Sequence, residues 1–500
     1  MNQNQNTIKI HRTSRLSGAL LLSAAQAVLL GLGYITHILI GKIGGPSLYG
    51  VFGVVLSFMT ILNMLMTLGI PIAVSKEVAQ DEANSGAILK TALIGQFCLS
   101  LILSFCTIVF SKTIASLLGD NSLAPFIAFT AIVYPLTAIY SVITNYFNGL
   151  HAFALQATII LLYSFAKLAG SVGLLIPFRV YGALSGFAVG GAIASIIGLP
   201  FVFKTTRKHF QKPFPIKGLL TFAGAVVGTS IALQILMSTD LFLVKKFLHD
   251  DTLAGYYNAA STLSRIPYFI LQALGFIFLP SIARLMKENE DLARNFIREI
   301  FRYLYLLLLP VTALAAATSK SLVHLFYSKV YEPAAQPLTL LMVALGLLSA
   351  FYLLSTIAAG ANKARVPLII SWLMLPFDII IGSLLIPRFG LEGAALSTII
   401  TAAIGTIIMG GYMIKRFHLS FPLFTLLKGL VATIIMVMPT YFINVQPLFM
   451  PFVYVALVLL YLFALVALGE LKKDDFQHVK TLLPKGKVKN IEDEGTIITP

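Results

Sequence analysis

Charge is scarce in this 500-residue chain: Asp, Glu, Lys and Arg make up 11% of it, while 58% is hydrophobic and the mean hydropathy is +0.89. Soluble domains carry about a quarter charged residues, so a soluble fold of this size is excluded. Cysteine is scarcer still. The two present, Cys98 and Cys106, fall in one apolar run and read as small core residues, which argues against a disulfide framework, a metal centre or redox chemistry. There is no Walker loop, so ATP hydrolysis on this chain is excluded, and no motif asks for a cofactor. A cleavage site is lacking behind the basic lead (Lys9, His11, Arg12, Arg15), so the first apolar run is expected to stay as an uncleaved helix.

What is abundant is apolar sequence in runs that each suffice to cross about 30 Å of hydrocarbon at about 1.5 Å per residue. Fourteen are expected, from 18–42 and 48–73 to 423–444 and 447–469, giving an all-α polytopic membrane protein. The net charge of +16 would suggest nucleic acid in a soluble protein; here the side on which the cations fall is what matters, and no nucleic-acid partner is expected. With a cytoplasmic start, about 26 Lys and Arg fall inside and 7 outside, which places both termini in the cytoplasm of a cell membrane. The stretch RLMKENEDLARNFIREIFRY reads as an interfacial helix joining spans 8 and 9, with a solvated charged loop as the alternative. In the polar tail, LKKDDFQHVK has helical character and the rest reads as disordered.

Sliding the chain by 211 positions sets YGALSGFAVGGAIASIIGLPFVFK over EGAALSTIITAAIGTIIMGGYMIK, aligning Gly182 with Gly393 and Gly149 with Gly360. A slightly shorter shift aligns Gly69 with Gly275. Identities are sparse but collinear, the mark of duplicated six-span halves in parallel orientation. The expected organisation is a cytoplasmic N-terminus (1–17), an N-lobe (18–208), a C-lobe (209–422), two further spans (423–469) and a cytoplasmic tail (470–500).

On this architecture the stretches GGPSLYGVFGVVLSFMTILNMLMTLGIPIAVSKEVA, AGYYNAASTLSRIPYFILQALGFIFLPSIARL, FYSKVYEPAAQPLTLL and PRFGLEGAALST resemble the polysaccharide flippase branch of the multidrug, oligosaccharidyl-lipid and polysaccharide exporter superfamily. The resemblance implies two six-helix lobes around a central cavity and alternating access for a lipid-linked oligosaccharide. It also implies membrane lipids and glycosyltransferases of the same pathway as partners. In lipid II flippase relatives the last two helices form a groove for the polyprenyl tail, for which spans 13 and 14 are the counterparts. The basic residues of those relatives are only partly echoed, by Arg15 and Lys42, so peptidoglycan precursor is not the default substrate.

A diphosphate cannot cross lipid bare, so such a protein needs a wet cationic chamber. The intramembrane charges are Lys167, Asp240, Arg265, Lys320 and Asp378. Arg265, two residues before Pro267, suits bidentate phosphate binding, or serves as partner to a carbonyl or to Asp240. Lys167 and Asp378 are 211 apart, equivalent places with opposite sign, open to a cavity or a structural role. Asp240 either holds Lys245 or Lys246, or faces the cavity to contact substrate or couple transport to H⁺ or Na⁺, as Asp378 also could. Lys320 reads as snorkelling to a helix end, and His37 as a packing residue more than a proton relay. Tyr256, Tyr257 and Asn258 read as an interfacial belt, or as sugar contacts if they face the chamber. The rival within the superfamily is a cation-coupled drug antiporter, which would favour carboxylates over cations in the chamber. A membrane glycosyl-polymerase, an enzyme, is disfavoured because no outer loop exceeds about fifteen residues.

Overall fold

The computed structural model describes residues 15–206, 224–417, 423–442 and 449–471. The basic lead, the side chain of Arg15 and the tail beyond 471, with its expected helix, lie outside the described residues. Within lipid every backbone N–H and C=O must be satisfied internally, and the described residues meet that demand with helices. Eleven helices among the described residues are long and apolar enough to cross a membrane. Two of these, of 61 and 53 residues, are long enough to cross twice, and the broken segment 251–288 supplies one more crossing, so this is a multi-pass membrane protein with fourteen spans among the described residues.

The first half comprises α1 (Arg15–Leu68), α2 (Ile70–Gln80), α3 (Ser85–Leu117), α4 (Ala124–Phe129), α5 (Val133–Gly149), α6 (Phe153–Gly173) and α7 (Leu175–Thr206). The second comprises α8 (Gly224–Leu248), α9 (Asp251–Ser264), α10 (Ile266–Glu288), α11 (Glu290–Ala317), α12 (Ser319–Phe326), α13 (Ala335–Gly360) and α14 (Arg365–Phe417). Then come α15 (Leu423–Val437) and α16 (Met450–Ala467). Helix α1 reverses direction at Gly45, whose φ of 77° is followed by Pro46. That turn defines the far end of the bundle, opposite the start of α1.

The duplication is visible in the backbone. Helix α7 turns at Arg179 (φ 50°, ψ −123°) and α14 at Gly390 (φ 57°, ψ −130°), positions 211 apart. A methyl on Gly182 would strike the carbonyl of Leu174, and one on Gly393 the carbonyl of Leu385, again 211 apart. Two pockets at the far end follow the same symmetry: one of about 520 Å³ between residues 44–51, Phe126 and 177–181, the other of about 500 Å³ between 248–253, Lys320, 332–336 and 390–392.

Spans 13 and 14 dock on α11. Glu470 accepts from Arg302 (3.0 Å) and Thr425 (2.9 Å) with Lys428 at 3.5 Å, and Tyr461 donates to the carbonyl of Leu306 (2.9 Å).

Two expectations need correction. The charged stretch before span 9 is no separate interfacial helix: residues 284–288 end α10, Asn289 caps α11, and residues 290–303 run unbroken into the span, burying Ala293, Ile297 and Ile300. The cysteines are not core residues either. Cys98 is exposed and Cys106 half-exposed, because the apolar face of α3 is turned to lipid instead of to a core.

Candidate functional site

The two halves meet along a seam at the far end, built by the second part of α1 against α9. Gly50 and Gly255 allow the closest approach: a side chain on the first would run into the carbonyl of Asp251, and on the second into that of Pro46. Asn258 donates to the Tyr49 carbonyl (3.1 Å) and fills the space over Gly53. The Tyr49 hydroxyl meets those of Thr262 (3.1 Å) and Tyr327 (2.9 Å), while Tyr331 donates to the Gly41 carbonyl (2.8 Å). At the rim the buried Lys245 binds Asp120 of the other half (2.6 Å) and Asp251 of its own, and Lys42 reaches the Leu325 carbonyl (3.4 Å). Partial burial works against the Asp120 carboxylate, but Lys245 and Ser122 bonded to it hold its pKa below the usual carboxylate range.

Beneath this seam lie two cations from opposite halves. Lys167 is carried by α6, with its ammonium 5.3 Å from the Phe187 ring centroid and 5.7 Å from that of Tyr163, facing α1 at Gly33. Arg265 sits at the break between α9 and α10, where Pro267 prevents a continuous helix, and donates to the Met237 carbonyl at 2.5 Å. Among the described residues neither cation forms a salt bridge. Arg265 lies within electrostatic range of Tyr34, His37, Tyr49, Tyr268 and Asp240, and Lys167 within range of His37. Tyr34 also meets Phe269 edge-to-face at 6.3 Å across the seam. Neither cation has a carboxylate in direct contact, Asp240 acting on Arg265 only through space, and two like charges so placed make this site receptive to an anion.

The acidic residues assemble elsewhere, inside the second half. Asp240 accepts from the Tyr257 hydroxyl (2.8 Å) and from the N–H of Leu241 (2.8 Å). Asp378 accepts from Thr401 (3.1 Å), leaving Oδ2 buried with no hydrogen-bond partner, and lies within electrostatic range of Asp240. A buried pair of carboxylates is costly unless a cation or proton accompanies it.

The sequence candidates therefore divide. Arg265 and Lys167 flank α1; Asp240, Asp378 and Tyr257 share the second-half interior; Asn258 belongs to the seam. Asp240 holds neither Lys245 nor Lys246, since Lys245 is taken by Asp120 and Asp251 and the Asp240 oxygens by Tyr257 and its own helix. Tyr256 and Tyr257 are no lipid belt: the first packs on Tyr331 at 5.8 Å and the second is fully buried. Lys320 is exposed and pairs with Glu332 at 2.6 Å. Sequence reasoning missed Tyr49, Tyr327 and Tyr331. Their only signal was their place in LYGVF and FYSKVYEPA, two of the stretches that carried the family resemblance.

Comparison with known proteins adds the following. The profile of the family described as polysaccharide biosynthesis protein matches residues 42–336. Stage V sporulation protein B of Bacillus subtilis is 25% identical over 55% of this chain, and the match spans 59% of that protein, less than two thirds of its length. The lipid II flippase MurJ, in an inward closed conformation, superposes with a TM-score of 0.74 at 16% identity, covering 92% of this chain and 100% of that one. An inward-facing multidrug resistance MATE family transporter of the MOP superfamily superposes with a TM-score of 0.68 at 14% identity, over 80% and 98%. At these identities the structural likenesses establish the fold.

Proposed function

This chain belongs to the polysaccharide biosynthesis protein family, and on that premise we propose that it is a flippase. It carries a lipid-linked oligosaccharide, a polyprenyl-diphosphate sugar, across the cytoplasmic membrane by alternating access, without chemical conversion of the cargo. One observation carries the reading: Lys167 and Arg265, contributed by opposite halves, stand unpaired on either side of α1 beneath a closed far end. The head group enters from the near end, which the charge bias assigns to the cytoplasm together with both termini. Its diphosphate bridges the two cations, the guanidinium offering paired donors and the ammonium a point charge. With both cations paired to the cargo, the seam of α1 on α9 parts while the near end closes. The polyprenyl tail stays in lipid, with spans 13 and 14 as its groove.

Two energy sources fit. A negative interior favours outward movement of an anion by about 2.3 kcal/mol per charge per 100 mV. The Asp240–Tyr257–Asp378 group supplies a place for a counter-moving H⁺ or Na⁺. The drug antiporter reading places carboxylates in the central chamber; here they are enclosed in the second half, and cations occupy the centre.

The test is Arg265→Glu in proteoliposomes loaded with a fluorescent polyprenyl-diphosphate oligosaccharide. Flipping is expected to drop at least tenfold with the protein still folded; flipping at the wild-type rate would refute the reading.

A further inference from the structure

His37 does more than pack. Its Nδ1 lies 3.0 Å from the Tyr49 hydroxyl, which also meets Thr262 at 3.1 Å and Tyr327 at 2.9 Å. Hydrogen-bond accounting bears on the imidazole's tautomer. A tyrosine hydroxyl has one proton and two lone pairs. Its three partners are all satisfied when it donates to a bare His37 Nδ1 and accepts from Thr262 and Tyr327, and also when it accepts from His37 Nδ1–H and Thr262 and donates to Tyr327. In the first arrangement, the one an anion beside the ring would favour, the neutral imidazole carries its proton on Nε2. That Nε2–H has no hydrogen-bond partner among the described residues, and the His37 side chain is only half buried. It stands on α1 within electrostatic range of both Lys167 and Arg265, and one helical turn from Gly33, which faces the Lys167 ammonium.

We propose that His37 is a substrate-binding residue whose Nε2–H donates to a phosphate oxygen of the diphosphate lying between Lys167 and Arg265. The inference rests on the flippase reading, since it needs an anionic cargo. A neutral donor suits this place because a third positive charge would have no anion to balance it before the cargo arrives. The arrangement also gives the anion a route to the far end. The residue that grips the phosphate is oriented by Tyr49, and Tyr49, itself on α1, is bonded across the seam to two residues of the second half, Thr262 on α9 and Tyr327 just beyond α12. Occupancy of the basic centre is thereby linked to the contacts that hold the halves together.

The test is binding of a polyprenyl diphosphate without sugar to the purified full chain in nanodiscs, with polyprenyl monophosphate for comparison. His37→Phe keeps the ring and loses both nitrogens; His37→Gln restores a donor near the Nε2 position; His37→Asn restores only a group near Nδ1. A hydrogen bond to a charged group predicts a weakening of about tenfold or more for His37→Phe, substantial recovery in His37→Gln and none in His37→Asn. A purely structural role would follow the Tyr49 contact instead, with His37→Asn the better rescue. If His37→Phe does not fold, nitrogen-15 resonances of the wild-type imidazole replace it: an Nε2–H tautomer whose Nε2 signal moves on adding the lipid is expected. Wild-type affinity in His37→Phe, rescue by Asn alone, or an unmoved Nε2 signal overturns the proposal. If the wild-type chain binds no polyprenyl diphosphate at all, the flippase reading falls, and this inference with it.

Discussion

Lys167 and Asp378 show how a duplicated fold distributes charge. Each sits opposite a small residue of the next span, Lys167 over Gly190 and Asp378 bonded to Thr401, and both pairs are related by the same 211-residue shift. The lysine turns to α1 and joins the central basic group, while the aspartate stays enclosed near Asp240. Their substitutions should therefore fail differently. Asp378→Asn is expected to leave polyprenyl-diphosphate binding within about twofold while changing how export responds to H⁺ and Na⁺ gradients, measured as flux under imposed gradients. Equal loss of binding would place Asp378 in the cargo site instead. Asp120 offers a pH prediction at the far-end rim. Its native pKa lies below the unfolded value, so its bond to Lys245 stabilises the closed seam fully above the ordinary carboxylate range of about 4 and loses that contribution as pH falls through the lowered native value. Distances across the far end, read by spin labels in nanodiscs, should be constant from pH 7 to about 5 and lengthen in stronger acid. Opening between pH 7 and 6 would assign the seam's pH response to another group.

Among the helices, the turns carry the clearest asymmetry. Where the second half places Gly390 at positive φ, the first half places Arg179 in nearly the same conformation, one that side chains rarely adopt. Arg179→Gly is expected to stabilise the protein by about 1–2 kcal/mol and Gly390→Ala to destabilise it by a similar amount, read from thermal melts in detergent. Stabilisation absent in Arg179→Gly would mean that the arginine side chain offsets the strain. Much at this scale was legible beforehand. The shift aligning Gly182 with Gly393 identified a contact each half makes with its own preceding helix, because a position without a side chain is needed wherever two helices touch backbone to backbone. The helix break at Arg265 was legible from Pro267. What was not legible depended on contacts remote in sequence: Tyr49 meets Tyr327 across 278 positions, and no periodicity predicts which hydroxyls converge. The roles of Tyr257 and Asn258 were obscured for the same reason, since adjacent residues on one helix point to different neighbours, one into the second half and one across the seam. Cys98 misled because in lipid the apolar face of a helix need not be the buried one.

As a whole, the molecule is two similar bundles joined at one end, with positive charge at their meeting place and negative charge inside only one of them. The proposed function requires a second state, in which α1 and α9 separate and the near end closes around the same two cations. The far-end contacts that would have to break include Lys245 with Asp120, Lys42 with the Leu325 carbonyl, His249 with the Gly119 carbonyl, Asn258 with the Tyr49 carbonyl, Tyr331 with the Gly41 carbonyl, and the Tyr49 hydroxyl cluster. The most direct measurement takes a chain carrying Cys98→Ser, Cys106→Ser, Asp120→Cys and Lys245→Cys, joins the new thiols with a short reducible cross-linker, and follows flipping of the fluorescent lipid-linked oligosaccharide in proteoliposomes. The account predicts that cross-linked protein still binds the lipid, does not flip it, and recovers flipping when the linker is reduced. Flipping at an undiminished rate with the far end held shut would contradict alternating access around the Lys167–Arg265 centre.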